Sequence, residues 1–580
     1  MKILTLHCDY INFKPVKKAI ANPEELSEEQ KKGVVVKECL VVLTAVEKTD
    51  EKNAAELLVD NIIDIASQVK CKKIVLYPYA HLSPFLAKPD FAMEVLKEAE
   101  KILLDKKYEV VRAPFGYYKE FELKCKGHPL SELSRSISSE GKVEKEAREI
   151  KAAKEEVKEE KYDYKQLLNQ ISKTILDTSK LKENDHRIIG QKLDLFSFNE
   201  VAPGMVFWHH NGWIIYQELI KFWREEHRKA GYLEISTPQI MDSKLWKISG
   251  HWEKYKENIF LTKYEGRDFA VKPMNCPGGI LVYRTKPRSY KELPLKMAEL
   301  GTVHRQELSG VLGGLFRVIK FTQDDAHIYC TEKQLEQEIE GVIKLVEILY
   351  KPFKFNYHIE LSTRPEKRIG SDEMWDKAEK ALENVLKKNK MKFKIMKGAG
   401  AFYGPKIDFH IKDSLGRTWQ CATIQVDFAM PERFDLTYMG EDNKKYRPVM
   451  IHRAIYGSFE RFIGILLEHL NGNLPVWLAP IQIRVLSFTD RNIKAAEKIV
   501  NVLKKEGLRV DSDFRDATVD YKVREAEIMR IPYIIVIGDK EEKNNTLAVR
   551  ARGKKPEFGV KLENFIKEIK EKIEKRELTV

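Results

Sequence analysis

The sequence predicts a multidomain protein of mixed α/β and α+β class, with a large antiparallel sheet between two smaller α/β units. Its 580 residues correspond to about four domains at ~150 residues each. The 43% hydrophobic and 10% aromatic content is enough for several cores, which excludes a wholly disordered chain. Short β-type runs dominate the middle of the chain, whereas strand and helix patterns alternate at both ends.

Residues 1–138 predict a small α/β unit. Apolar side chains recur at helical spacing in two segments, and three others are short β-rich runs. The predicted strands are residues 2–6, 39–45 and 73–77, and the predicted helices are residues 53–69 and 90–104.

Residues 139–194 predict a charged helical linker. Between residues 141 and 165 the chain is mostly Lys and Glu with a few Ala and Val. Such a run is typical of a solvated helix or linker and does not build a core.

Residues 195–476 form the largest block, for which we predict an antiparallel sheet flanked by helices. An amphipathic helix is predicted over residues 212–229 and ends before Gly231. A second helix is predicted over residues 454–470. The predicted strands are residues 233–238, 316–321, 326–330, 406–411 and 418–428.

Residues 477–580 switch to regular strand–helix alternation, which predicts a compact α/β unit with a mostly parallel sheet. The predicted strands are residues 483–488, 508–511, 533–537 and 547–550, and the predicted helices are residues 491–505, 520–530 and 561–575.

Composition narrows the class of protein. The formal net charge of +13 suits a polyanionic partner. The seven cysteines are odd in number, widely spaced and without a CxxC pair, which argues against a disulfide framework and favours a reducing compartment. No apolar run approaches the ~18 residues of a membrane span, and no secretory signal is evident. We therefore expect a cytoplasmic protein without a membrane partner.

A Gly-rich segment at residues 309–314 separates two β-type stretches and is flanked by Arg305 and Arg317. Arginines on both arms of a hairpin can hold a triphosphate through bidentate hydrogen bonds. The same charges are also typical of a solvated surface hairpin.

Gln323, Asp325 and His327 alternate along TQDDAHIYC and therefore share one face of the predicted strand. Buried there, they need a ligand, a metal or water; a solvated face is the alternative. His327 with Cys276 and His452 would be a three-ligand zinc set of the catalytic type. Their wide spacing gives almost no support for this, and a buried thiol and satisfied histidines remain the alternative.

Two further cations lie among apolar residues. Arg461 in an apolar helix must find an anion or a carboxylate, and the adjacent Glu460 offers a structural ion pair. Lys119 lies among aromatic residues in RAPFGYYKEF, where desolvation lowers the pKa of an ammonium group. A lysine extending from an apolar strand to solvent is the alternative.

Together these segments resemble the threonyl-tRNA synthetases, a family of class II aminoacyl-tRNA synthetases. The resemblance runs from about residue 196 to the C-terminus, and residues 1–138 are similar to the archaeal type of editing domain, related to D-aminoacyl-tRNA deacylases. The segments that carry it, in order, are MNCPGG, HRQELSG, FRVIKFTQDDAHIYC, AFYGPKIDF, WQCATIQVDF and MIHRAIYGSFERFIGILLEHL.

The resemblance implies a class II antiparallel-sheet catalytic core, an N-terminal editing domain and a C-terminal anticodon-binding domain. It implies activation of L-threonine with ATP to threonyl-adenylate, release of pyrophosphate, and transfer to the 3′ end of tRNA(Thr). One Zn²⁺ per subunit, Mg²⁺ with the ATP, and a homodimer formed through residues 231–238 are further implications.

Roles follow at matching positions. Arg305 would hold the α-phosphate of ATP, and Arg317 and Arg461 the rest of the triphosphate, with Arg461 also over the adenine. Lys406 would face phosphates, and His251 matches a residue implicated in transfer to tRNA. The implied zinc ligands are Cys276, His327 and His452. The implied amino-acid or adenylate pocket comprises Gln323, Asp325, Tyr403, Gln420 and Gln425. The implied anticodon contacts are Arg524, Glu541 and Arg550.

Selectivity explains the need for a second site. Valine lacks the hydroxyl that threonine offers to a metal and to Asp325, so its rejection is strong. Serine loses only a methyl group, worth ~1–3 kcal/mol, so hydrolysis of seryl-tRNA(Thr) is expected. The resemblance assigns this editing pocket to His81, Tyr118, Lys119 and Glu132. We expect Lys119 to position water or the ester, with help from the ribose 2′-hydroxyl.

Two glycines depart from the bacterial pattern: Gly279 and Gly313 stand where many family members carry histidine. Three alternatives stay open. The chain could be another class II synthetase such as the prolyl enzyme, or a synthetase-like RNA-binding protein without catalysis. Ligation could also be retained with the N-terminal unit as a structural appendage.

Overall fold

The computed structural model describes residues 1–20, 22–51, 53–83, 85–137, 163–171, 181–413 and 416–580. The chain divides into two compact units, residues 1–162 and 163–580. Most of the predicted charged linker, namely its residues 139–162 and 172–180, lies outside the described residues, as does residue 138. No helix among the described residues is long and apolar enough to cross a bilayer.

The first unit is built on one twisted sheet. Its described elements are β1 (Lys2–Lys18), α1 (Glu28–Lys32), β2 (Val34–Ala45), α2 (Ala54–Gln68), β3 (Lys73–Pro78), α3 (Pro89–Asp105), β4 (Glu109–Arg112), β5 (Tyr117–Cys125) and β6 (Glu132–Ser136).

The strand order is β4-β3-β2-β1-β5, with β6 also paired to β1. Strands β2, β3 and β4 run parallel, whereas β1 is antiparallel to its partners. Leu40 and Val42 pack beneath α2 and α3, while Val41 and Leu43 belong to a second cluster, as the period-two alternation of a strand requires. The predicted strand 2–6 is the start of a longer strand.

The second unit begins with short elements that lead into a large sheet. Its elements up to residue 470 are α4 (Tyr164–Ile171), α5 (His186–Lys192), β7 (Phe196–Ser197), β8 (Phe207–Trp208), α6 (His210–Lys229), β9 (Leu233–Glu234), β10 (Ile240–Asp242), α7 (Ser243–Ile248), α8 (His251–Tyr255), β11 (Leu261–Tyr264), β12 (Arg267–Val271), α9 (Cys276–Tyr283), β13 (Leu295–His304), β14 (Lys320–Cys330), α10 (Leu335–Tyr350), β15 (Asn356–Ser362), α11 (Asp372–Lys388), β16 (Phe393–Met396), β17 (Lys406–Lys412), β18 (Thr418–Asp427), α12 (Ala429–Arg433), β19 (Tyr438–Met439), β20 (Lys445–Tyr446), β21 (Val449–Ala454) and α13 (Phe459–His469).

The predicted antiparallel sheet is an eight-stranded sheet of order β16-β15-β17-β18-β21-β14-β13-β9. The inner strands β15 to β13 pair antiparallel, and only the two outermost pairings are parallel. Helices α6, α10, α11 and α13 contribute the buried apolar residues that cover it.

Three predicted boundaries in and around this sheet are wrong. The strand predicted over residues 233–238 comprises only Leu233–Glu234, because the chain leaves the sheet edge after its short parallel pairing with β13. The strand predicted over residues 316–321 begins only at Lys320, because residues 314–317 form a turn. The helix predicted over residues 454–470 begins at Phe459. Ala454 still belongs to β21, and the Ser458 hydroxyl caps the helix by accepting from Arg461 N.

The remaining elements form a separate five-stranded sheet with helices. They are β22 (Ile483–Ser487), α14 (Ile493–Lys505), β23 (Val510–Asp513), α15 (Val519–Ile528), β24 (Tyr533–Ile537), α16 (Asp539–Asn544), β25 (Leu547–Ala551), β26 (Glu557–Val560) and α17 (Leu562–Glu574).

The order of this sheet is β23-β22-β24-β25-β26. Strand β22 is parallel to β23 and β24, but β25 is antiparallel to both its neighbours. The prediction of a mostly parallel sheet is therefore wrong for its second half. Only the short helix α16 separates β24 from β25, too little chain for a parallel crossover.

Candidate functional site

A cleft of about 410 Å³ opens on one face of the eight-stranded sheet. It brings together ten of the residues singled out from the sequence: Cys276, Arg305, Arg317, Gln323, Asp325, Tyr403, Gln420, Gln425, His452 and Arg461. Residues that lie up to 185 positions apart in the chain thus share one cavity because β14, β18 and β21 are neighbours in the sheet.

The candidate metal ligands Cys276, His327 and His452 are all buried, and one ligand atom of each lies within 4.8 Å of the others. His327 and His452 are directly opposite each other in the register of β14 and β21. Cys276 is the first residue of α9. A thiol and two imidazoles are ligand types that zinc prefers, so the donor set fits that metal.

The orientation of the two imidazoles supports the same conclusion. Asp427, fully buried, holds Nε2 of His452 at 2.8 Å, which leaves Nδ1 for a ligand. Nε2 of His327 is buried without a hydrogen-bond partner among the described residues; the nearest carboxylate oxygen, on Asp325, is 3.9 Å away. A metal ion would satisfy this nitrogen.

Three arginines line the other part of the cleft. Arg305 and Arg317 lie in the connection between β13 and β14, and Arg461 lies in the first turn of α13. Arg305 Nε donates to the Pro273 carbonyl at 3.1 Å, and Arg317 pairs with Glu307 at 2.9 Å. The expectation that these two arginines lie on the arms of a hairpin is wrong, because β13 ends at His304 and β14 begins at Lys320.

Arg461 is held by carbonyl groups. Its Nε donates to Phe316 O at 3.0 Å and its NH1 to Gln420 O at 3.3 Å. No ion pair of Arg461 occurs among the described residues, and burial, with the nearby arginines, lowers the pKa of its guanidinium. The alternative of a pair with Glu460 is wrong, since that buried carboxylate accepts from Thr322 N at 3.0 Å. The arginine part of the cleft therefore carries cationic charge that the Glu307 carboxylate only partly offsets.

Between the metal cluster and the arginines lies a polar pocket. Gln323 and Asp325 point into the cleft from β14, and both accept from the Asn275 amide, at 3.3 and 3.1 Å. Burial raises the pKa of the Asp325 carboxyl. Tyr403 packs its ring 5.3 Å from that of His452.

Three predicted residues lie outside the lining of the cleft: His327, which belongs to the candidate metal site described above, Lys406 and His251. Lys406 on β17 forms a 2.8 Å ion pair with Asp408, whose other oxygen accepts from Gln420 at 2.6 Å and from Thr423 at 2.9 Å. Lys406 is therefore connected to Gln420 of the cleft lining through Asp408. His251 is buried at the start of α8, with its ring 6.2 Å from that of Tyr403.

The two glycines that replace histidines differ in their surroundings. A Cβ atom at Gly279 would lie 3.4 Å from Nδ1 of His327, whereas one at Gly313 would meet nothing within 4 Å. Gly279 thus borders the metal cluster, and Gly313 faces open space in the β13–β14 connection.

The first unit has its own cavity of about 390 Å³ at the carboxyl ends of the parallel strands β2 and β3. It includes three of the four residues predicted for editing: His81, Tyr118 and Lys119. The fourth, Glu132, is exposed on β6 opposite Leu6 and does not line the cavity. The grouping of Glu132 with these residues is not reproduced, because β6 pairs with the opposite end of β1 from β5.

Lys119 is the cation of this cavity. Its Nζ donates to Pro114 O at 3.0 Å and to Tyr117 O at 3.1 Å, and it lies 5.0 Å from the centre of the Tyr77 ring. Burial lowers the pKa of Lys119 to about 8. Both carbonyls come from the turn at Gly116, where φ is +86° and a Cβ would lie 2.8 Å from Ile20.

Three family models cover most of the chain. The archaea-specific editing domain of threonyl-tRNA synthetase matches residues 1–137. The class II core domain of the G, H, P, S and T tRNA synthetases matches residues 260–470, and an anticodon-binding domain matches residues 476–572. The RNA-binding domain of threonyl-tRNA synthetase from Cryptosporidium parvum Iowa II is 40% identical with a TM-score of 0.64, over 67% of this chain and 98% of that one.

The chain belongs to the threonyl-tRNA synthetase family. The threonine–tRNA ligase of Carboxydothermus hydrogenoformans is 55% identical over 396 residues, which is 67% of this chain. The chain spans 62% of the length of that curated relative. A prolyl-tRNA synthetase from Cryptosporidium parvum, 14% identical with a TM-score of 0.54, shares the fold over 67% of this chain and 77% of that one.

The predicted anticodon residues of this synthetase-family chain lie in the five-stranded C-terminal sheet and its helices. Arg550 on β25 pairs with Glu527 at 2.9 Å, and Arg524 lies one turn earlier on α15, exposed. Arg550 thus contacts α15, the helix that carries Arg524. Glu541 instead accepts from Gly538 N at 3.1 Å within the start of α16.

Sequence reasoning missed Asn275 and Asp427, which orient the pocket and the metal cluster. Asn275 precedes Cys276 directly, and Asp427 follows Gln425 by two residues on β18. Both residues stand in segments that the sequence analysis had already singled out, MNCPGG for Asn275 and TIQVDF for Asp427. A polar residue two positions from a predicted pocket residue on a strand shares its face.

Proposed function

We propose that this chain is a threonine–tRNA ligase that forms threonyl-adenylate from L-threonine and ATP and transfers the threonyl group to tRNA(Thr). The observation that carries the proposal is a single cleft in which three arginines adjoin a buried Cys/His/His cluster. An anion site beside a thiol–imidazole site suits ATP beside an amino acid with a metal-binding side chain.

The arginines act in adenylate formation. The threonine carboxylate attacks the α-phosphorus in line, and pyrophosphate leaves. Arg305 stabilises the charge that develops on the α-phosphate, while Arg317 and Arg461 hold the β- and γ-phosphates. The carbonyls that fix Arg461 reduce the reorganisation needed when ATP binds. Mg²⁺, bound with the ATP, would neutralise further phosphate charge.

The polar pocket selects threonine. When bound to Cys276, His327 and His452, one zinc ion per subunit would supply a Lewis-acidic centre for an amino group and a neighbouring hydroxyl. The Asp325 carboxylate accepts a hydrogen bond from the hydroxyl, and Asn275 holds that carboxylate in place. Valine leaves the buried Asp325 without the hydrogen bond that the threonine hydroxyl donates, which costs more than a missing methyl group.

Transfer and proofreading use other residues. His251 acts in transfer of the threonyl group to the 3′ end of the tRNA. In the first unit, Lys119 positions the ester of seryl-tRNA(Thr) or a water for hydrolysis, with His81 and Tyr118 around it. An appendage without activity would not require a desolvated ammonium in a cavity, which favours editing over the structural alternative.

The assembly is a cytoplasmic homodimer with tRNA(Thr) as partner. Leu233 leaves 58% of its surface exposed, in the segment of residues 231–238 expected at the dimer interface. We assign residues 1–138 to editing, 139–194 to the linker, 195–476 to catalysis and 477–580 to the anticodon. Arg524, Arg550 and Glu541 read exposed bases of the anticodon loop.

ATP–pyrophosphate exchange tests the proposal, with threonine, serine and valine, before and after zinc removal. We expect exchange with threonine, weaker exchange with serine, none with valine, and loss without zinc. Arg461→Ala should lose exchange, whereas Arg433→Ala, an exposed arginine of the same unit, should keep it. If no amino acid supports exchange in folded, zinc-loaded protein, the RNA-binding alternative replaces this one.

A further inference from the structure

We infer that His186, which precedes the catalytic core in the chain, is a positioning residue for the triphosphate end of the cleft. This inference rests on the proposed function. His186 is the first residue of α5 and is buried. It lies outside the cleft lining, and its contacts connect α5, α13 and the β13–β14 connection.

Both ring nitrogens of His186 are engaged. Leu315 N donates to Nε2 at 2.9 Å, so Nε2 is an acceptor and Nδ1 carries the proton. Nδ1 then donates to Glu468 Oε1 at 2.8 Å, on the helix that carries Arg461. Because Glu468 and Leu315 N engage both ring nitrogens, the His186 imidazole offers no nitrogen to a metal, and its cluster with Asp185 and Glu468 is read as a hydrogen-bond network.

The contact holds the backbone that carries the arginine site. The residue after Leu315 is Phe316, whose carbonyl accepts from Arg461 Nε at 3.0 Å, and the next is Arg317. The Phe316 ring lies 4.3 Å from the His186 ring and stacks at 4.2 Å on Trp419. His186 therefore fixes the segment on which two of the three arginines depend.

The close approach is built into the loop. Gly314 has φ +54°, and a Cβ there would lie 2.2 Å from Nε2 of His186. Only glycine at this position lets the loop backbone rest on the imidazole. On the far side Glu468 also pairs with Arg417, whose guanidinium lies 5.2 Å over the Phe316 ring.

Kinetics of ATP–pyrophosphate exchange test the role, with ATP and threonine varied separately. His186→Phe keeps the ring but removes both hydrogen bonds, and we expect KM for ATP to rise about tenfold. KM for threonine should stay within about twofold, since Asp325 and the metal cluster do not contact His186. His186→Gln, whose Oε1 can accept from Leu315 N, should restore most of the ATP affinity.

His227→Phe is the matched control, because His227 is a buried histidine of the same unit whose Nδ1 donates to Trp223 O within α6. It should leave KM for ATP unchanged. Should His186→Phe fail to fold, Gly314→Ala perturbs the same contact from the loop and should raise KM for ATP alone.

The inference is overturned if folded His186→Phe keeps the wild-type KM for ATP. It is also overturned if KM for both substrates and kcat change together, as a general loss of packing would produce. Absence of exchange in the wild-type chain would instead defeat the proposed function.

Discussion

At the scale of single residues, Lys119 presents an ammonium that the fold has desolvated beside two carbonyls. Its pKa of about 8 lies below the 10.5 of an ordinary lysine. Between these values the unfolded chain binds more protons than the folded one, so the destabilising cost of burying this group shrinks as pH rises through that window. As a donor to the ester, by contrast, it is lost above pH 8.

We therefore predict that hydrolysis of seryl-tRNA(Thr) declines as pH rises through about 8. Lys119→Met should abolish hydrolysis without lowering Tm at pH 7, because it removes a desolvation cost. Deacylation of preformed seryl-tRNA(Thr), corrected for the uncatalysed rate, and thermal unfolding provide the two measurements. Retention of hydrolysis in Lys119→Met would support the structural-appendage alternative.

Asp427 is the second residue on which a prediction depends. It orients His452 through Nε2 and also accepts from the backbone N–H groups of Ala429 and Met430. Asp427→Asn keeps the size but loses the carboxylate, and we expect zinc affinity to fall about 10–100-fold. KM for threonine should rise in parallel, with KM for ATP unchanged.

Chelator competition measures the affinity of the Asp427→Asn protein for zinc. Asp442→Asn, which alters an exposed carboxylate of the same unit, should bind zinc as the wild type does. Equal zinc affinity in the two variants would show that the His452 orientation does not depend on Asp427.

At the scale of elements, strand β13 shapes the polar pocket of Gln323 and Asp325 although it contributes no side chain to it. Gly301 lies opposite Gln323 in the register, and a Cβ there would fall 2.1 Å from Oδ1 of Asn275. Gly301→Ala must therefore displace the amide that holds Gln323 and Asp325.

We predict that Gly301→Ala raises KM for threonine at least about tenfold, since a hydrogen-bonded carboxylate loses its donor, while KM for ATP changes little. The exchange assay with each substrate varied separately provides the measurement. Gly341→Ala in α10, where a Cβ meets nothing within 4 Å, is the control. An unchanged KM for threonine would mean that Asn275 does not order the pocket.

The elements also show what local pattern can and cannot predict. Alternation along β14 correctly predicted that Gln323, Asp325 and His327 share a face, because strand periodicity is local. The predicted start of α13 at residue 454 was wrong. The buried Asp324 accepts from the backbone N–H groups of residues 455–457 and holds them outside the helix. That contact joins distant segments, which no window of sequence contains.

At the scale of the whole molecule, the metal cluster depends on the register of β14 against β21 and on the position of α9. Spacing along the chain gave almost no support for Cys276, His327 and His452, and only the resemblance of whole motifs grouped them. The same resemblance grouped Glu132 with Lys119, which the strand pairing does not reproduce. Long-range register decides such groupings.

The final prediction concerns recognition over the length of the chain. Arg524 is exposed on α15, far in sequence from the catalytic cleft. Arg524→Ala should raise KM for tRNA(Thr) about tenfold, the cost of one base contact. ATP–pyrophosphate exchange should not change, since that reaction needs no tRNA.

Aminoacylation kinetics with a tRNA(Thr) transcript of altered anticodon separates base recognition from general charge. On that transcript Arg524→Ala and the wild type should have the same KM for tRNA, because the altered anticodon already lacks the base that Arg524 contacts. Lys567→Ala, an exposed cation on α17, should act weakly and equally on both transcripts through electrostatics alone. If Arg524→Ala behaves like Lys567→Ala, Arg524 contributes charge and does not read the anticodon, and the specificity for tRNA(Thr) must come from other residues of the C-terminal sheet.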